Sequence, residues 1–130
     1  MSGKLPGYNA GYGSLSQQAV AQFLSDDFGN LSQSTDLTIS ARPGRRLLTY
    51  TGGVLAVVLA APIAGQDDGN RIEIANVTSQ QHTITCTGKL NDGAGHLNIA
   101  TFPAHPGAAF EIFAYQGAWY LVANNLVAFT

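Results

Sequence analysis

Charge is scarce in this 130-residue sequence. Six Lys and Arg stand against eight Asp and Glu, 11% of the chain, for a net charge of -2; about a quarter is usual. That balance supplies no field to draw in nucleic acid or an anionic membrane, so neither is expected as a partner. A surface so poor in charge is rich in Ser, Thr, Asn and Gln or is covered by partners, and both are expected here. Cysteine occurs once, at Cys86, which excludes an intrachain disulfide and gives no sign of an oxidising compartment. A long apolar run is also missing. The strongest, VLAVVLAAPIAG at 54–65, contains Pro62 and is well short of the about 20 residues of a membrane helix; it reads as a buried strand. The N-terminus, MSGKLPGYNAGYGS, lacks an apolar h-region, so no secretory signal is expected. The sequons Asn30-Leu31-Ser32 and Asn76-Val77-Thr78 then read as chance matches.

What is present divides unevenly. The length suits one domain with a real core. Residues 1–35 form a Gly-, Ser-, Asn- and Gln-rich lead in which Ser14 and Gln17 have capping-box spacing. Leu15, Ala19 and Phe23, with Val20 and Leu24, follow a helical repeat. One short helix over about 15–25 is one reading, and an arm that orders only against a partner is the other.

From residue 36 the texture is β. The strand candidates are 36–41, 45–51, 54–60, 71–77, 82–88, 96–102, 108–115, 118–123 and 126–130, each followed by turn chemistry such as Pro43-Gly44, Asn91-Asp92-Gly93 or Gln116-Gly117. This spacing predicts an all-β fold over 36–130, an antiparallel β-sandwich or jelly-roll of eight or nine short strands, preceded by an extended N-terminal arm. RRLLTYTGGVLAVVL and FEIFAYQGAWYLVAN each read as a hairpin of the same design. In VLAVVLA, Leu55, Val57 and Leu59 face one way and Val54, Ala56 and Val58 the other. Such a strand is buried on both faces, or its second face is an interface.

The residues that look most like chemistry are in GQDDGNRIEIANVT. A calcium loop of the EF-hand type needs alternating acids and a glutamate at its twelfth position. Here Asp67 and Asp68 are adjacent and Glu73 comes too early, so a tight turn using Gly69 and Asn70 is the expectation, with Glu73 solvent-facing beside Arg71. His82 and Cys86 share a strand face about 13 Å apart, too far for one zinc ion; His96 and His105 complete no ligand pattern. No G-x-S-x-G elbow occurs, Cys86 reads as a small buried residue, and the carboxylates Asp26, Asp27, Asp36, Asp92 and Glu111 show no pairing. No catalytic residue, metal or cofactor is therefore assigned, and no enzyme is expected. Arg42, Arg45 and Arg46 concentrate half the basic residues at one turn, which docks on an acidic neighbour or is simply solvated. Trp119 and Phe113 read as core, whereas Tyr115 or Tyr120 could face a ligand such as a sugar.

Three stretches, GQDDGNRIEIANVT, HTITCTG and ATFPAHPGAAFEIFAYQGAWYLV, together resemble small structural proteins of tailed bacteriophages. With the segment near 45–60, the chain is similar over roughly two thirds of its length to capsid decoration (cement) proteins, β-domains that bind the outside of an assembled head. The resemblance implies a non-enzymatic virion protein, made in the bacterial host cytoplasm and placed on the head exterior. Its partners would be the major capsid protein and itself, as a homodimer or homotrimer bracing neighbouring subunits. It further implies an arm along the capsid anchored by Leu5, Tyr8, Tyr12, Leu15 and Phe23, with an oligomer interface on Val54, Ala56 and Val58. A tail, fibre or baseplate domain and a carbohydrate-binding module are the rival expectations.

Overall fold

The computed structural model describes residues 38–130. The expected arm and its 15–25 helix lie outside them. Among the described residues the chain is all-β and contains no helix: β1 (Thr38–Ile39), β2 (Gly44–Leu48), β3 (Ala56–Leu59), β4 (Arg71–Asn76), β5 (Thr83–Asn91), β6 (His96–Thr101), β7 (Ala108–Tyr115), β8 (Ala118–Asn125) and β9 (Ala128–Phe129). Each falls within or overlaps a segment expected from alternation and turn chemistry. They make one curled sheet in the order β1-β3-β5-β8-β7-β4-β2, with β6 joining β5 and β9 joining β6.

The pairing is mixed, not antiparallel throughout. β1 with β3, β3 with β5, β2 with β4 and β5 with β8 run parallel, while the remaining described pairings are antiparallel. The first five strands alternate between two flanks of the sheet: β1, β3 and the start of β5 on one, β2 and β4 on the other. The chain therefore coils around its own core before the β5–β6 and β7–β8 hairpins close it. RRLLTYTGGVLAVVL is accordingly not a hairpin, because β2 and β3 lie at opposite parts of the path. Both strands carry inward leucines, Leu48 on β2 and Leu59 on β3, and crossing lets them cover one core from two sides. FEIFAYQGAWYLVAN is the hairpin it resembles.

β5 turns one flank into the other. Thr83–Thr85 pair with β3 and β6, whereas Leu90 and Asn91 pair with β8 and β6. Between them the register shifts and Gly88 takes a left-handed φ of 69°, its N–H donating to Asn98 Oδ1 at 2.8 Å. A bulge at a glycine bends a strand and raises its twist.

The core follows from two-residue alternation. Val57, Leu59, Ile72, Ile74, Ile84, Phe110, Ile112 and Trp119 are all at most 2% exposed. Trp119 also donates its indole N–H to the Ala60 carbonyl at 3.0 Å, tying β8 to the end of β3. Phe113, expected in the core, stacks instead on Tyr120 on the outer face, with ring centroids 5.4 Å apart. It follows Ile112, which takes the inward position.

Replacing Trp119 by Phe leaves the Ala60 carbonyl without its donor and opens a void. The expected loss is about 2–3 kcal/mol of stability, checked by urea unfolding with an unchanged m-value.

Candidate functional site

The two flanks differ in what they show to solvent. On β2, β4, β7 and β8 the outward positions bring Arg45, Glu73, Glu111 and Ala123 into one row and Arg71, Phe113 and Tyr120 into another. Arg45 Nε bonds Glu73 at 2.6 Å and Arg71 Nε lies 3.6 Å from Glu111. Opposite charges thus offset two glutamates that face each other across β4 and β7. An open groove of about 200 Å³ lies along this flank, lined in part by Glu73, Glu111, Asn124 and Asn125.

The other flank has outward rows without an ionisable side chain. Thr38, Val58, Thr85 and Ile99 form one, and Ala56, Thr83, Thr101 and Ala128 the second. Alternation along β3 and the two residues before it points Leu55, Val57 and Leu59 inward and leaves Val54 52% and Val58 51% exposed. Of the two alternatives for this strand, burial on both faces does not occur within the described residues. The exposed side is the one the sequence marked as an interface.

The basic trio does not form a single patch. Pro43-Gly44 is a connection between strands that do not pair, and alternation along β2 separates the side chains. Arg42 is exposed, Arg45 points outward onto Glu73, and Arg46 points inward, 3% exposed, with Nη1 donating to the Arg45 carbonyl at 3.3 Å. Leu5, Tyr8, Tyr12, Leu15 and Phe23 lie outside the described residues.

The acidic loop is a structural turn. Asp67 accepts from the Ile63 N–H at 2.7 Å and from the Asn70 amide at 3.4 Å. Asp68 accepts from both the backbone and side-chain N–H of Gln116, at 2.8 and 2.9 Å. All four carboxylate oxygens therefore have protein donors, and Gly69, at a φ of 87°, donates its N–H to the Ala114 carbonyl. The loop fastens to the β7–β8 turn, where Gln116 holds a φ of 49°, a region that costs a non-glycine residue about 1 kcal/mol. Glu73 is outward-facing as expected, although its ion pair is with Arg45 on β2 rather than with Arg71.

A buried polar cluster escaped sequence analysis. His82 is fully buried; its Nδ1 accepts the Leu55 N–H at 2.9 Å, so the ring proton sits on Nε2, 3.1 Å from Thr78 Oγ1. Thr78 Oγ1 donates to Asn76 Oδ1 at 2.7 Å, and the Asn76 amide donates to the Gln80 and Pro103 carbonyls. This Asn76 is the one in the sequon, now fully buried with its amide engaged. Burial lowers the His82 pKa, against a backbone hydrogen bond with Tyr50. Burial also raises that of the Cys86 thiol, with Lys89 opposing, which keeps it protonated and poorly nucleophilic. Among the described residues no group of three or more His, Cys, Asp or Glu is placed to hold a metal ion. No helix there is long and apolar enough to cross a membrane.

Tyr115 is 54% exposed at the end of β7. Tyr120 walls an open groove of about 410 Å³ with Asn91, Gly93, Ala94, Gly95 and His96. No model of a known protein family matches this chain, and no curated protein matches it.

Two outcomes follow. Asp68→Ala removes both bonds to Gln116 and is expected to cost about 1 kcal/mol, lowering Tm by about 5 °C with or without added calcium. A calcium-dependent Tm in the wild type would contradict the turn reading. For His82, the folded state favours the neutral ring, so its stabilisation is complete above the unfolded value of 6.5 and is lost as pH falls through the lower folded-state pKa. Tm measured against pH should drop below about pH 6.5 more steeply in the wild type than in His82→Gln.

Proposed function

We propose that this protein is a non-enzymatic virion structural protein that binds the outer surface of a phage head and braces neighbouring capsid subunits. The observation that carries the reading is the uncharged outer flank around Val54, Ala56 and Val58. A broad Thr, Val and Ala surface without ions sheds little hydration on contact, and it suits an interface repeated in many symmetric copies, where weak single contacts add up. In this reading the flank joins protomers into a homodimer or homotrimer. The curled sheet serves as a sandwich of jelly-roll type whose two flanks close over the Trp119–Phe110 core. The arm, residues 1–35, carries the anchors Leu5, Tyr8, Tyr12, Leu15 and Phe23 to the major capsid protein. It joins the domain at β1, the edge strand of the uncharged flank. In this reading the exposed Arg42 lies on the surface that meets the capsid. A tail or baseplate location would use the same surface in far fewer copies.

A carbohydrate-binding reading has its own observation, the groove walled by Tyr120 and backed by its stack on Phe113. An aromatic wall with amide, imidazole and glycine backbone suits a neutral sugar. A glycan-array signal abolished by Tyr120→Ala would move the assignment there.

The decoration role predicts saturable co-sedimentation with capsids lacking the protein, at a copy number matching capsid two-folds or three-folds. Deleting residues 1–35 should abolish binding and leave a folded domain; undiminished binding of the deletion would refute the arm's role.

A further inference from the structure

Cross-strand register sets His96, Asn91, Tyr120 and Phe113 side by side on the outer face, one each from β6, β5, β8 and β7. Phe113 and Tyr120 stack within this row, their rings 22° from parallel. Phe113 therefore covers one face of the Tyr120 ring, and the other face turns toward Asn91. The open groove of about 410 Å³ begins there: Tyr120 lines it and Phe113 does not. Asn91 is its floor, and His96 with the turn at 93–95 stands opposite the ring. Each wall is fixed without a ligand. The Asn91 amide donates to the Trp119 carbonyl at 3.1 Å, which leaves its Oδ1 without a donor among the described residues. Asp92 Oδ1 accepts from the Ala94 and Gly95 N–H groups at 2.9 and 3.3 Å, and Gly93 takes a left-handed φ of 96°, so the turn keeps its shape. A wall already in its bound shape loses little entropy on binding.

We propose that this groove takes one neutral pyranose ring, the non-reducing end of a glycan. The C–H face of the sugar meets the negative face of the Tyr120 ring. Asn91 Oδ1 accepts from one hydroxyl, and the His96 imidazole bonds a second. An apolar aromatic ligand would instead leave Asn91 Oδ1 unsatisfied. Tyr120 and His96 are two strand spacings apart, about 10 Å, which is room for one sugar ring stacked on the tyrosine and not for two abreast. Neutrality follows from charge. Apart from His96 the lining has no ionisable group, and the nearest in the chain to Asn91, Lys89 and Asp92, are of opposite sign. This inference rests on the carbohydrate reading and is independent of the capsid one, since Asn91 lies about 20 Å along β5 from Thr85 on the uncharged flank.

The test is a titration of the full-length protein, followed by amide NMR. The probes are the methyl glycosides of glucose, galactose, mannose and N-acetylglucosamine, the methyl glycoside of glucuronic acid, and oligosaccharides of the neutral sugars. The expected result is a set of saturable shifts at Asn91, Gly93, Gly95 and His96 with at least one neutral glycoside, at a Kd of about 1 mM. The matching oligosaccharide should bind within about twofold of that, because only its end ring is held. The acidic glycoside should bind about tenfold more weakly, because its carboxylate finds no cation in the groove. Tyr120→Val should raise the Kd at least about tenfold by removing the stacking face. Exposed His96→Ala, with a severalfold rise, replaces it should Tyr120→Val lose the near-UV signal of Trp119. An oligosaccharide that shifts these amides while no single ring does would keep the carbohydrate reading and overturn this inference. So would tighter binding of the acidic glycoside, or a Kd that the folded variant leaves unchanged. No shift with any of the sugars up to about 50 mM would overturn both, and failure to bind capsids would touch neither.

Discussion

A backbone that crosses from one flank of a curled sheet to the other leaves the ladder each time. Its buried N–H and C=O groups must then find partners elsewhere or remain unpaired at a cost of about 1–3 kcal/mol each. The architecture depends on how those crossings are satisfied. Asn76, Thr78 and His82 do so at the β4–β5 crossing, and the His82 ring reaches on to the Leu55 N–H at the entry to β3. The Asp67–Asp68 loop performs the same service between β3 and β4, holding its own turn and the β7–β8 turn together. Polar side chains that look like chemistry in the sequence are spent on backbone donors and acceptors. The coil of parallel strands would otherwise present orphaned groups at its ends.

The existence of the strands was legible because alternation and turn residues are local signals. RIEIAN and AAFEIFAY put their isoleucines and Phe110 inward as their spacing requires, and Glu73 outward. Partner choice was not legible. Nothing local in RRLLTYTGGVLAVVL distinguishes a hairpin from a crossing, since both turn Leu48 and Val57 toward apolar surroundings through the same two-residue period. Here the two side chains meet one core from different flanks. His82 and Asn76 read as a strand start and a sequon because their bonds run to Leu55, Gln80 and Pro103, none of which advertises a partner.

The outward orientation of one segment was legible. Val54, Ala56 and Val58 were set apart by alternation alone, and all three are exposed, Ala56 and Val58 on β3 and Val54 just before it. The arginines were less so: a cluster in sequence becomes Arg45 outward and Arg46 inward once β2 forms. What no stretch of sequence could display is the sorting of charge. The ion pairs Arg45–Glu73 and Arg71–Glu111 collect on one flank, while the strand faces around Val58 carry none. An exposed face without charged side chains is a candidate contact surface. In the proposed reading a partner protomer or the capsid covers it.

That claim is open to a direct test with internal controls of the same residue type. Val54 and Val58 are 52% and 51% exposed, and Val77 and Val122, away from the uncharged rows, are 47% and 42% exposed. Hydroxyl-radical footprinting of the full-length wild-type protein, read by mass spectrometry, compares the oxidation of the four valines. Oxidation of Val54 and Val58 several-fold slower than that of Val77 and Val122 is the predicted result. Equal rates would mean that the flank is bare in solution, and the account of it as a contact surface would fail.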